Sequence, residues 1–206
     1  MRVRSTMFAV ALLSVVALTG AGGSEHVPDG GASVTPPDVP ATAFLYDHDG
    51  AWIGTADFVP VPGGLFVSVY VEGQPPGVHG IHVHMNADCR DTTDPATGLA
   101  VPFGGAGAHF DPDATMHHGG PDDPADVSHG GDLGNLRVDE RGVGVLEATD
   151  HDLTIEGPHS VIGRSLIVHV NQDDFITQPT GGSGGRIACG VVIDVSGGVH
   201  TTGATT

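Results

Sequence analysis

The sequence predicts an all-β fold of about eight short antiparallel strands, packed as a sandwich or closed into a flattened barrel. Three observations carry this expectation. Apolar and polar residues alternate over short runs, the period of a strand with one buried face. Turn-forming residues separate the runs, with 33 Gly and 15 Pro in 206 residues. Two long stretches between the runs are polar, rich in Gly and Asp, and too long to be simple turns.

The strands follow in order. "TAFLYD" (42–47) and "WIGTADFVP" (52–60) flank the turn "HDGA" and form a hairpin. "GLFVSVYVEG" (64–73) alternates and ends in a Gly/Pro turn. "HGIHVH" (79–84) is the fourth strand. "GNLRVDERGVGVLEATD" (134–150) reads as strand, "DERG" turn, strand. "SVIGRSLIVHV" (160–170) and "RIACGVVIDV" (186–195) complete the set. The long loops are 86–131 and 171–186.

The ends read differently. Arg2 and Arg4 precede an apolar run from Met7 to Leu18 and then small residues. These are the three regions of a secretory signal peptide, residues 1–21. The run is too short for a comfortable membrane span. No cysteine lies near its end to take a lipid anchor. Residues 22–40 are a Gly/Pro-rich flexible linker, 41–195 the folded domain, and 196–206 a flexible tail. The expected location is outside the cytoplasm: periplasmic, cell-wall-associated or extracellular. There the two cysteines, Cys89 and Cys189, are expected to pair. Asp and Glu number 25 against 7 Lys and Arg, all seven arginine, for a net charge of −18. That balance argues against nucleic acid and anionic membranes as partners.

The chemistry lies in the histidines. His82 and His84 are two residues apart on a strand, so they leave from one face, with Ile81 and Val83 on the other. They are either surface residues or two ligands of one metal ion. The 86–131 loop and its end hold His109, His117, His118, His129 and Asp132 within 24 residues. Three histidines and a carboxylate suit a closed tetrahedral zinc site. Such a loop has few apolar residues to fix it otherwise. His169 sits inside an apolar strand, where an unpaired imidazole would be costly. It is either a backbone-bonded core histidine or a third ligand for the His82/His84 pair, and the second reading is preferred.

Taken together, "HGIHVH", "GAHFDP", "HHGGP", "HGGDLGN", "IVHVNQDD" and "GRIACGVV" occur in this order and resemble the copper/zinc superoxide dismutases. The resemblance covers most of 41–195. It implies a Greek-key β-sandwich with metal-binding and electrostatic loops, and copper and zinc as cofactors. By this resemblance copper is held by His82, His84, His109 and His169, and zinc by His109, His118, His129 and Asp132. His109 then bridges both ions. Of the pair His117/His118, the HGGP pattern selects His118. Asp173 corresponds to the carboxylate linking a copper histidine to a zinc histidine, Cys89 and Cys189 to the intradomain disulfide, and Arg186 to the arginine beside copper. The implied activity is disproportionation of superoxide to oxygen and hydrogen peroxide. The alternative is a non-catalytic copper/zinc protein of the same fold that buffers or delivers metal. A homodimer is left open.

Overall fold

The computed structural model describes residues 39–196. The signal peptide, nearly all of the linker and nearly all of the tail expected from the sequence lie outside the described residues. Among the described residues there are ten strands: β1 (Ala41–Asp47), β2 (Trp52–Val61), β3 (Gly64–Val71), β4 (Gly77–His84), β5 (Thr92–Thr93), β6 (Ala100–Val101), β7 (Asp132–Val138), β8 (Gly144–Asp150), β9 (Ser165–His169) and β10 (Arg186–Asp194). One 3-10 turn covers Gly104–Ala106.

Eight of the strands close into an antiparallel barrel in the order β1-β10-β9-β4-β7-β8-β3-β2, and β2 pairs with β1. Chain neighbours β3 and β4 are not barrel neighbours, nor are β8 and β9. These two crossovers make the barrel a Greek key. The hairpins close with the chemistry their turns require. Asp47 Oδ1 accepts the backbone N–H groups of Asp49 and Ala51, and Asp139 Oδ1 accepts those of Arg141 and Val143.

The core fills the barrel. Leu45, Phe58, Leu65, Val67, Val69, Ile81, Val83, Leu136, Leu166 and Val168 are buried in one cluster. Inward residues alternate along each strand, as in β3, where Leu65, Val67, Val69 and Val71 are buried and the residues between them are more exposed. The fourth strand departs from that pattern. Every residue from His79 to His84 is buried, because loops cover its outer face.

The run 160–170 contributes a strand only from Ser165 onward, since Val161–Arg164 form a turn closed by Arg164 N–H donating to the Val161 carbonyl. The 86–131 loop is less bare than its composition suggests. It carries the β5/β6 pair, and it buries Phe103 and Ala106 against Ile167 and the disulfide, and Phe110 in the main core. The Cys89–Cys189 disulfide forms, with Cα atoms 5.7 Å apart across a sequence separation of 100.

Candidate metal centre

Three adjacent strands build the centre. β4 lies between β9 and β7; His82 pairs with Ile167 of β9 and with Asp132 at the start of β7. A β-bulge between Gly80 and His82 sets that alignment. With Ile81 and Val83 in the core, His82 and His84 must face outward. The same alternation on β9 sends Val168 inward and His169 out.

The long loop then folds back over these rings. Phe110 N–H donates to the Val83 carbonyl at 2.8 Å, and Val83 N–H donates to the Gly131 carbonyl at 2.9 Å. His109 thereby pairs with His84 across an isolated bridge. Arg164 reinforces the fold-back: its guanidinium sits 4.1 Å over the Phe110 ring and donates to the Met85 carbonyl at 2.6 Å.

One ligating atom from each of His82, His84, His109 and His169 falls within 4.8 Å of the others, and all four residues are buried. Their remaining nitrogens have partners. His84 Nδ1 lies 2.9 Å from the Gly107 carbonyl and His169 Nδ1 3.2 Å from that of Gly184. His82 Nε2 lies 2.7 Å from Asp173 Oδ2. What is left over is His84 Nε2 and His169 Nε2, 3.4 Å apart, with His82 Nδ1 and His109 Nε2. The last two are buried and have no hydrogen-bond partner. Orphaned imidazole nitrogens converging in a buried space are costly unless a cation joins them.

A second group forms on the other side of the His109 ring. His109 Nδ1 lies 2.8 Å from Asp132 Oδ1, and His118 Nδ1 3.0 Å from the same oxygen. The His118 contact lacks hydrogen-bond geometry, so this nitrogen too is unsatisfied. His129 Nδ1 stands 3.3 Å from Asp132 Oδ2. The four atoms that meet within 4.8 Å here come from His82, His109, His118 and Asp132; His129 is just outside that set. His118 is buried while His117 is exposed. A nitrogen-rich set with one carboxylate fits zinc, and an all-imidazole set fits copper.

Asp173 connects the two groups. It is fully buried, with Oδ2 at His82 Nε2 and Oδ1 2.9 Å from His118 Nε2. Burial opposes its charge, but the hydrogen bonds from His118 and His82 win and hold its pKa at about 2. Sequence reasoning missed how little room surrounds it. Gly181, with φ 63, passes so close that an added Cβ would collide with Asp173 Oδ1 and His118 Nε2. The "GGSGG" run was the available signal.

The charge states suit ligation. Burial, and then the neighbouring His82, push His109 down to about 4 and His169 down to about 3. Burial also lowers His82 and His84. These rings are therefore neutral near pH 7 and can donate lone pairs. His118 differs: burial lowers its pKa, but the close carboxylates of Asp132 and Asp173 outweigh this and raise it to about 9.

Arg186 begins β10 and pairs with His169. Its Nη1 donates to the Phe103 carbonyl at 2.6 Å and its Nη2 to the Gly107 carbonyl at 2.5 Å. The two carbonyls fix the guanidinium without neutralising it. His79, by contrast, lies 2.8 Å from the His169 carbonyl and 2.9 Å from the Pro75 carbonyl through its two nitrogens, a structural role with no nitrogen to spare. His48 and Asp91 form an exposed pair apart from the centre.

Comparison with known proteins agrees with this geometry. A sequence model described as copper/zinc superoxide dismutase matches residues 52–192. The chain is 46% identical over 149 residues to a Cu-Zn superoxide dismutase of Deinococcus radiodurans, covering 72% of this chain and 81% of that one. It is 36% identical over 161 residues to an extracellular Cu-Zn superoxide dismutase of Brugia pahangi, covering 74% of each. Among solved structures it resembles the Cu/Zn superoxide dismutase of Brucella abortus, with a TM-score of 0.63, 35% identity, and coverage of 73% of this chain and 98% of that one.

Proposed function

The chain belongs to the copper/zinc superoxide dismutase family, and on that premise we propose that it disproportionates superoxide at a copper ion joined through the His109 ring to a zinc ion. His82, His84, His109 and His169 would hold the copper; His109, His118, His129 and Asp132 would hold the zinc. The observation that carries this reading is the division of His109: its Nδ1 faces Asp132 and its orphaned Nε2 faces the other three histidines. Copper, when bound, supplies the electron exchange with superoxide, and zinc, without redox chemistry, holds the other side of the shared ring.

The overall reaction takes two superoxide anions and two protons to one oxygen and one hydrogen peroxide. Arg186 draws the anion in, since no carboxylate pairs with it among the described residues and its position is fixed beside His169. His109 Nε2 is the atom that can hold a proton for the peroxide product. Asp173 keeps His82 and His118 in one tautomer and orientation, each presenting Nδ1. The covering loops bury the rings.

Export belongs to the same proposal. It is supported by the signal-like first 21 residues and by the relative named as extracellular. The test is metal analysis of the purified chain with a superoxide assay before and after copper addition. Activity that appears with copper supports the enzyme. Full copper and zinc occupancy without dismutation would favour the buffering alternative.

A further inference from the structure

The centre as described leaves two methionines without a role. Met85 and Met116 are the only methionines among the described residues, and both line a single cavity of about 480 Å³. His109 and His129 line it too, as do Pro179 and Thr180 of the loop between β9 and β10. Methionine usually fills gaps in a core. Here the two are 44% and 78% exposed.

Their main chains are fixed. Met116 has φ 60, a conformation costly for a residue with a side chain. Asp111 holds it there, accepting the N–H of Thr115 at 3.0 Å and of Met116 at 2.9 Å. Met85 N–H donates to the Ala108 carbonyl at 3.0 Å, and the Met85 carbonyl accepts from Arg164. Clamped backbones thus present two thioethers, each on three rotatable bonds, to one space. Among the described residues there is no free cysteine, so these are the available soft donors.

We propose that Met85 and Met116 form a docking site for cuprous copper, from which the ion passes to the neighbouring histidines. Thioethers prefer Cu(I) and bind zinc poorly, so the site selects one metal where two share a ring. His109 lines the same cavity as the two methionines, so an ion held there borders a proposed copper ligand. Transfer is ligand exchange, thioether for imidazole, with no electron moved. The destination rests on the proposed function; the docking site does not.

The test begins with the full chain loaded with copper and zinc, titrated with Ag(I), a soft monovalent stand-in for Cu(I). One further Ag(I) should bind per chain. The Met85→Leu/Met116→Leu double variant, which keeps side-chain volume, should bind it at least tenfold more weakly, and each single variant by an intermediate amount. Next, zinc-loaded copper-free chain receives Cu(I) without oxygen; the double variant should fill several-fold more slowly and reach the same copper content. Absence of the extra Ag(I), or unchanged affinity in the double variant, overturns the site. Equal filling rates overturn the passage to the histidines. Failure of the dismutase reading would appear separately, as an inactive wild-type chain holding both metals, whatever the Ag(I) result.

Discussion

At the scale of single residues, the centre depends on atoms whose partners are specified one by one. Gly181 is the sharpest case. Any Cβ there meets the Asp173–His118 hydrogen bond, and the φ of 63 favours glycine besides. Gly181→Ala should therefore weaken metal binding at both groups, on the order of 10–100-fold, the usual effect of disturbing a ligand's supporting hydrogen bonds. Competition with a chelator measures it; unchanged copper and zinc affinities would show that Asp173 does not orient the rings. Arg186 makes the opposite kind of prediction, a loss of rate without a loss of metal. Arg90 and Arg141 are paired with Asp88 and Asp139, whereas the polar partners of Arg186 among the described residues are carbonyls. Arg186→Glu should cut the dismutation rate far more than copper or zinc content. Salt screens attraction, so wild-type activity should fall as salt is added. A rate that stays flat or rises would identify the acidic surface, not Arg186, as the dominant field.

At the scale of elements, strand and loop were unequally legible. Alternation, and short apolar runs between turn residues where both faces are buried, located all eight barrel strands. It also put His82 and His84 on one side. The bulge at Gly80/His82 and the late start of β9 were not readable, since both are set by pairing with neighbours distant in the chain. Nor were the carbonyl partners of Arg186 or the tight passage of Gly181, which depend on how two loops meet. Residue type and spacing drew attention to the histidines, and the resemblance grouped them; the structure brings most of each group together, but the geometry was not readable, as His129 at the edge of its group shows. The covering loop 86–131 holds on through Phe103, Ala106 and Phe110, the disulfide and the centre itself. Residues 111–128, between these anchors and His129, bury little apolar surface. Removing zinc with a chelator should open that stretch to protease several-fold faster, while the barrel resists. Equal cleavage rates with and without zinc would mean that packing alone fixes the loop.

At the scale of the whole molecule, the buried rings link stability to pH. His109 and His169, at about 4 and about 3, and His82 and His84 are held below the ordinary value, chiefly by burial. The folded state then binds fewer protons than the unfolded one, so stability falls as pH drops from about 6.5 toward 3. His118, raised to about 9, has the opposite sign: its contribution is complete below about 6.5 and is lost as pH rises through 9. With four lowered rings against one raised, the metal-free chain should unfold at lower urea concentration at pH 4.5 than at pH 6.5; an unchanged midpoint would contradict this. Metal release should begin in the same acid window, because protons compete for the same nitrogens. The central claim is that one ring serves both ions, and the most direct test is the copper and zinc content of His109→Ala beside His82→Ala and His129→Ala. His82→Ala should chiefly lose copper and His129→Ala chiefly zinc, while His109→Ala should be depleted in both. Full occupancy of both metals in His109→Ala, with normal dismutation, would contradict the shared-ring centre.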